Sequence, residues 1–140
     1  MKVLFKEATP EENELLQDAI TDFNITVIKG FPRAESKKID LTAWTPNGEL
    51  IGGINSEWVN WGILFIHLLL IKEEFRGNGY GSALLQEIEN RARSCGCYLS
   101  HLDTFDSQGK NFYVANGYSI FGVLDNCPKG HKRYYLKKEL

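Results

Sequence analysis

The spacing of hydrophobic positions changes along this chain, and the changes predict a series of strands and helices. Residues 63–71 are apolar except for His67, a run typical of a central strand that is covered on both faces. Residues 82–95 have apolar positions at helical spacing and predict an amphipathic helix. Those positions are Leu84, Leu85, Ile88, Ala92 and Cys95. Residues 98–104 predict the next strand, which is expected to run parallel to the central one.

The N-terminal part of the chain has weaker patterns. Residues 2–6 predict a short first strand. Thr9 is a typical N-cap and Pro10 a typical first residue of a helix, which is expected to end near residue 23. The pattern of residues 31–38 is ambiguous, and a short helix broken by its proline is one interpretation.

Alternating apolar and polar residues predict further strands. Residues 41–44 and 50–55 flank Asn47 and Gly48, and the tolerance of this pair for positive φ favours a tight primed turn in a hairpin. After the strand at 98–104, a short helix is expected. Two last strands are expected at residues 118–124 and 132–138. Together these elements predict a mixed α/β sheet.

Composition narrows the classes of function. The chain has 140 residues, 43% of them hydrophobic, which suits one domain with its own core. A net charge of −2 offers no positive field to a polyanion, so no nucleic acid is expected as a partner. Three cysteines without paired spacing argue against a disulfide framework and a zinc site, and favour a reducing cytoplasm. No apolar run approaches the ~20 residues of a membrane-spanning helix, so no membrane contact is expected.

The segment with the most chemical information follows the predicted central strand. Gly77, Gly79 and Gly81 alternate just before the predicted helix. Glycine lets consecutive N–H groups turn towards one point, and the helix start adds a partial positive charge, so the segment suits phosphate oxygens. Arg76 can add a charge-assisted hydrogen bond. A turn that only connects strand to helix is the alternative interpretation.

Two nucleotide-binding motifs fit this segment less well. A P-loop needs Gly-Lys-Ser or Gly-Lys-Thr, and neither occurs in the chain. A dinucleotide fingerprint needs Gly or Ala where the chain has Ser82, and its turn follows the strand directly, whereas five residues separate Ile71 from Gly77. Asp103 is the matching candidate for a ribose-binding carboxylate. A dinucleotide-binding domain is therefore a weak alternative.

Two motifs, in order, resemble those of the GCN5-related N-acetyltransferases, the GNAT family. The family's cofactor loop has the pattern Q/R-x-x-G-x-G/A, and residues 76–81, Arg-Gly-Asn-Gly-Tyr-Gly, match every fixed position. Residues 112–118, Phe-Tyr-Val-Ala-Asn-Gly-Tyr, are similar to the family's later aromatic-Tyr-x-x-x-Gly-Phe/Tyr segment. The resemblance implies a mixed, mostly antiparallel central sheet with one parallel splayed strand pair and helices on both faces, in a single domain of residues 1–140.

The resemblance also implies which residues bind acetyl-coenzyme A, the acyl donor. Loop amides would bind its diphosphate, strand backbone would pair with its pantetheine arm, and an N–H near Ile71 would polarise the thioester oxygen. The implied cofactor-binding residues are Leu69, Leu70, Ile71, Arg76, Gly77, Asn78, Gly79, Tyr80, Gly81 and Ser82, together with Asp106, where the family often has asparagine. Helix capping is the alternative role of Asp106. No metal is expected.

Two residues are candidates for catalysis. Tyr113 resembles the family's tyrosine acid, which protonates the departing thiolate; an aromatic core residue is the alternative. Some relatives have a glutamate midway along the central strand, where this chain has none. His67, which regular alternation places on the face of Leu69 and Ile71, is the candidate general base. Glu57 is a weaker candidate, and a structural histidine with proton loss to solvent is the alternative.

The sequence as a whole predicts a cytoplasmic N-acetyltransferase. It is expected to move an acetyl group from acetyl-coenzyme A directly to a primary amine in a single ternary complex. The acceptor is expected to be a small molecule or a peptide amine, and the family resemblance allows a homodimer. The alternative is a catalytically silent acyl-coenzyme A binding module, motivated by the missing glutamate and by Asp106.

Overall fold

The computed structural model describes residues 1–105 and 107–140, except for the side chain of residue 108. The chain forms two compact units, Met1–Glu35 and Ser36–Leu140. The described helices are α1 (Pro10–Val27), α2 (Tyr80–Ser94) and α3 (Ser107–Ala115). The described strands are β1 (Ser36–Lys38), β2 (Leu41–Trp44), β3 (Leu50–Val59), β4 (Ile63–Ile71), β5 (Leu99–Thr104), β6 (Ser119–Asp125) and β7 (Lys132–Glu139).

The first unit contains α1, which begins at a capping box. The Glu12 N–H donates to Thr9 Oγ1 (3.2 Å), and the Thr9 N–H donates to the Glu12 carboxylate (2.9 Å). Pro10 starts the helix, as predicted. The predicted strand at residues 2–6 is wrong. A strand needs hydrogen bonds from a neighbouring strand, and none of the described residues supplies them there.

A seven-stranded sheet forms the second unit. The strand order is β1-β3-β4-β5-β7-β6, and β2 also pairs with β3. β4 and β5 are parallel, and the other pairs are antiparallel. This confirms the predicted mixed, mostly antiparallel sheet with 63–71 as its central strand. The ambiguous stretch 31–38 contains a strand, β1, because residues 36–38 find partners on β3.

Helices α2 and α3 contribute to one core on one face of this sheet. The core includes Ile54, Leu64, Ile66, Leu84, Leu85, Ile88, Ala92, Leu102, Tyr113 and Leu136. The helical spacing of α2 therefore predicted its buried face correctly, except at its end. Cys95 is exposed because the helix stops at Ser94 and Cys95 is the C-cap residue. Gly96, with a φ of +84°, follows as predicted.

The predicted β2–β3 hairpin is confirmed, but its turn is not a primed turn. The Gly48 N–H donates to the Thr45 carbonyl (3.0 Å), and the Thr45 N–H donates to the Glu49 carbonyl (2.8 Å). Gly48 has positive φ and Asn47 does not. The residue types explain the ordinary turn, because Pro46 is suited to the second position of a type I turn and glycine to the fourth.

Neither a membrane span nor a metal cluster occurs among the described residues. None of their helices combines the length and the apolarity that crossing a bilayer requires. No group of three His, Cys, Asp or Glu side chains comes together there as metal ligands. The three cysteines are free thiols.

Candidate functional site

The parallel strands β4 and β5 separate halfway along β4. Their pairing stops at Ile66 and Leu102, whereas β4 stays paired with β3 as far as Ile71. On the side towards β5, the backbone of residues 68–71 has no strand partner among the described residues. The predicted splayed pair is therefore confirmed, and the opening is a cleft of about 680 Å³.

A β-bulge in β4 begins this separation. The register of β3 against β4 shifts by one residue, and His67 is the extra residue. Ile66 before it and Leu69 after it both pack on the core side, so the bulge resets the two-residue alternation. His67 lies on the opposite face with Phe65, whose ring centroid is 4.6 Å away. The prediction that His67 shares a face with Leu69 and Ile71 is wrong, because regular alternation does not survive a bulge.

The cleft brings most of the predicted site residues together. Those that line it are His67, Leu69, Leu70, Ile71, Arg76, Gly77, Gly79, Tyr80, Gly81, Ser82 and Tyr113. Asn78 is not among the lining residues, and Asp106 lies outside the described residues. Leu68 and Leu70 are 50% and 57% exposed. The predicted cover on both faces of the central strand is therefore wrong at the end of β4, because the strand borders the cleft there.

The glycine-rich segment closes one end of the cleft with free backbone donors. Helix α2 begins at Tyr80, and the Ala83 N–H donates to the Gly79 carbonyl (3.0 Å). The N–H groups of residues 77–82 have no acceptor within the described part of the chain. Gly77 and Gly79 have φ of +76° and +80°, a region that side chains disfavour and glycine adopts freely. The segment is thus suited to bind an anion at the helix start.

Two side chains brace this segment. Arg76 Nε donates to the Ile71 carbonyl at 2.9 Å, which ties the segment to the end of β4. The Asn78 side-chain amide donates to the Phe75 and Arg76 carbonyls, each at 3.1 Å. Sequence reasoning missed this bracing role of Asn78, since the contacts appear only once the loop has its folded shape.

Tyr113 lies at the cleft on the core side of the sheet. Its ring packs edge-on against Phe112 (5.0 Å between centroids) and Tyr118 (5.6 Å), and it is 7% exposed. Burial raises the pKa of Tyr113 to about 12, because a phenolate would lose its hydration. Its hydroxyl has no hydrogen-bond partner among the residues described.

A buried ion pair on the same side was missed by the sequence analysis. Glu89 of α2 is 3% exposed and accepts from Lys138 Nζ at 2.7 Å and from the Tyr118 hydroxyl at 3.0 Å. Lys138 Nζ also donates to the Asn116 carbonyl (3.0 Å), and Tyr118 Oη lies 2.8 Å from Ser100 Oγ. The ion pair could have been predicted, because Glu89 lies on the apolar stripe of α2, where a buried acidic residue needs a partner.

Polar side chains occupy the opposite face of the sheet. His67 Nε2 lies 3.3 Å from Glu57 Oε2, and the two side chains are 47% and 34% exposed. Asp103, considered above for ribose, instead pairs with Arg133 at 2.6 Å. Burial lowers the pKa of His101, against the opposing effect of Asp103. The sequence did not predict that His101, Asp103 and Arg133 share this face, because their neighbours come from other strands.

Comparisons with known proteins agree with this geometry. Residues 5–118 match the model of the acetyltransferase (GNAT) family. Over 94 residues, the chain is 38% identical to the blasticidin-S acetyltransferase of Streptomyces morookaense. The matched region covers 66% of this chain and 68% of that protein.

Solved structures share the fold over nearly the whole chain. The crystal structure of an acetyltransferase from Bacillus cereus is 30% identical, with a TM-score of 0.88 over 99% of this chain and 98% of that one. An aminoglycoside 6′-N-acetyltransferase complexed with coenzyme A is 19% identical, with a TM-score of 0.67 over 96% and 94% of the two chains. This chain therefore belongs to the GNAT family of acetyltransferases.

Proposed function

We propose that this protein transfers an acetyl group from acetyl-coenzyme A to a primary amine, with both substrates bound in one ternary complex. The proposal rests on one observation: a single cleft is lined by groups suited to each part of this reaction. Free N–H groups of residues 77–82 lie at its end, and His67 and Tyr113 line it from opposite faces of the sheet. A diphosphate, a departing sulfur and an attacking amine would each have a matching group.

The residues of the cleft fit acetyl-coenzyme A. The free N–H groups and the start of α2 suit a diphosphate, and Arg76 adds a cation beside them. The unpaired backbone of Leu69, Leu70 and Ile71 suits the amide groups of the pantetheine arm, because extended chains pair along a free strand edge. The aminoglycoside acetyltransferase with this fold is complexed with coenzyme A, which supports the assignment. Binding by Asp106 stays a prediction.

Tyr113 stabilises the departing sulfur in this proposal. Because its pKa of about 12 lies well above the ~8.5 of a thiol, the phenol keeps its proton. It donates a hydrogen bond to the sulfur as negative charge develops there. This role is electrostatic, and it replaces the full proton donation expected from the sequence.

His67 takes the proton that the amine loses. It is half exposed and lies on the face opposite Tyr113, so an amine can approach it from solvent. In the transfer, an N–C bond forms and the C–S bond breaks. The electron pair of that bond stays on sulfur, and one proton moves from the nitrogen of the neutral amine to the imidazole. A cationic amine releases its extra proton to solvent before it attacks.

The acceptor class that we favour is a small molecule with a primary amine. Two of the proteins compared above are acetyltransferases named for small molecules, blasticidin S and an aminoglycoside. Glu57, on the same face as His67, would attract a cationic amine. Peptide amines are the other predicted class, and turnover with a panel of both classes distinguishes them.

The test measures acetyl-coenzyme A binding and thiol release with that panel. Gly79→Val is expected to weaken binding at least about 100-fold, because several charge-assisted hydrogen bonds of ~1.5–3 kcal/mol each are misplaced. Gly48→Val is the matched control: Gly48 also has positive φ, +86°, and open space around it, but lies in the β2–β3 turn. Equal effects of the two variants, or no binding by the unaltered protein, would contradict the proposal.

A silent acyl-coenzyme A binding module is the second candidate. It is motivated by β4, which contains no carboxylate. Binding of acetyl-coenzyme A without thiol release for any amine of the panel would favour it. Stabilisation by NAD and not by coenzyme A would instead favour the dinucleotide alternative.

A further inference from the structure

We propose that Glu57 is a positioning residue for His67, whose carboxylate holds the imidazole Nε2–H and so presents Nδ1 to the proton of the acceptor amine. The inference rests on the acetyl transfer proposed above, since it concerns how His67 becomes an effective base in that reaction. It also explains how a half-exposed imidazole can keep one orientation at the mouth of the cleft.

The bulge in β4 brings the two side chains together. Glu57 on β3 is the register partner of Phe65 on β4, so both point to the same face. As the extra residue, His67 joins them there, with its Nε2 3.3 Å from Glu57 Oε2. The Phe65 ring meets the imidazole edge-on at 4.6 Å. The carboxylate and the ring together restrict rotation of the imidazole.

The hydrogen bond decides which ring nitrogen is the base. A neutral imidazole has one N–H and one acceptor nitrogen, and a carboxylate can only accept. The proton is therefore assigned to Nε2 of His67, and Nδ1 keeps its lone pair. During transfer, Nδ1 takes one proton from the amine nitrogen as the N–C bond forms, and the Nε2–H stays with Glu57. The imidazolium then releases the Nδ1 proton to solvent.

Asp103, the carboxylate that lines the cleft within the described part of the chain, does not compete for this role. Its Oδ1 accepts from Arg133 Nη2 at 2.6 Å and from Arg133 Nε at 2.9 Å. Its charge is therefore matched by a guanidinium. The Glu57 carboxylate, in contrast, is hydrogen-bonded to the imidazole of His67.

Three titratable groups on β1, β5 and β7 leave the Glu57–His67 contact intact. Lys38 on β1 is the register partner of Glu57, yet no ion pair within 4.0 Å joins them in the described part of the chain. His101 on β5 is partly buried and remains neutral near pH 7, because burial lowers its pKa. Lys137 on β7 lies beyond it, as the register partner of His101. None of these groups provides His67 with a second hydrogen bond.

Two substitutions of Glu57 distinguish the effect of the carboxylate's position from the effect of its charge. Glu57→Gln removes the charge, whereas Glu57→Asp keeps it on a side chain one methylene shorter. Each is expected to lower kcat about tenfold without changing the KM for acetyl-coenzyme A, and His67→Gln about 100-fold. In the His67→Gln background, either change at Glu57 should cost nothing further, because residues that act as a unit are not additive.

Three results would overturn the proposal. Full activity of Glu57→Asp would mean that only the charge of the carboxylate matters. Full activity of Glu57→Gln would mean that Glu57 has no role in the reaction. Additive losses in the double variants would mean that Glu57 acts independently of His67. Thermal unfolding and acetyl-coenzyme A binding check that each variant is folded. Absence of turnover in the unaltered protein would contradict the proposed function and not this contact.

A spectroscopic readout tests the contact without turnover. Long-range ¹H–¹⁵N NMR spectra of the imidazole, at about pH 8.5, where histidine is ordinarily neutral, report which nitrogen carries the proton. His67→Gln identifies the signals. We expect the Nε2–H form in the unaltered protein and a mixture of forms in Glu57→Gln. A mixture in the unaltered protein would overturn the proposal.

Discussion

The two sides of the cleft are built differently. On the core side, Tyr113 is 7% exposed and surrounded by rings, whereas on the other side His67 is 47% exposed and held by one carboxylate. In the proposed mechanism the phenol of Tyr113 keeps its proton, and burial raises its pKa further, whereas solvent access would let the imidazole of His67 gain and lose a proton in every turnover. In this proposal one cleft holds a buried hydrogen-bond donor beside an exposed proton carrier, because burial disfavours the charged phenolate and exposure lets an imidazole exchange its proton with water.

The greatest loss of stability is expected at the buried ion pair of Glu89 and Lys138. Lys138→Met leaves the Glu89 carboxylate, which is 3% exposed, without its nearest cation, at a cost of about 3–5 kcal/mol in the free energy of unfolding. The matched control is Lys132→Met, since Lys132 pairs with Asp125 at 3.8 Å on the surface and such pairs contribute less than about 1 kcal/mol. Urea unfolding measures both, and equal losses would contradict a structural role for the buried pair.

A smaller effect concerns stability at high pH. Tyrosine in an unfolded chain ionises near pH ~10, and Tyr113 in the folded protein ionises at about 12. Between these values the unfolded state loses the proton first, so the free energy of unfolding falls as pH rises, by up to roughly 2–3 kcal/mol for this residue. Urea unfolding across that range should therefore show a smaller decline for Tyr113→Phe. Parallel declines would contradict the effect of burial.

A modest change in catalysis is expected when the Tyr113 hydroxyl is removed. Tyr113→Phe removes the hydrogen bond that we propose to the departing sulfur, so it should lower kcat about tenfold. The KM for acetyl-coenzyme A should stay constant, because the ring still packs in place. Tyr98→Phe is the control, since Tyr98 is 57% exposed and outside the cleft. Unchanged turnover of Tyr113→Phe in a thiol-release assay would remove Tyr113 from the mechanism.

Features that depend on neighbours in the chain could be predicted from the sequence. The apolar run at 63–71 has the bounds of β4, and the helical pattern at 82–95 lies within two residues of the bounds of α2. The glycines at 77 and 79 adopt the positive φ that their residue type favours. The same local information also predicted that the next strand would be parallel.

Errors occurred where a distant partner decides the local structure. Residues 2–6 had a strand pattern but found no strand partner among the described residues. Regular alternation predicted His67 on the same face as Leu69 and Ile71. The register shift of β3 against β4 places it on the opposite face. Asp103 resembled a ribose ligand, and Arg133, 30 residues away, pairs with it.

Residue types and short-range spacing were enough to predict the order of the elements, the central strand and the glycine segment of free donors. Only the tertiary structure decided that Glu57 meets His67 across a bulge, and that Glu89 meets Lys138 from 49 residues away. The physical reason is that strand register and burial depend on contacts between distant parts of the chain, and these contacts set the surroundings in which Tyr113 and His67 hold their protons.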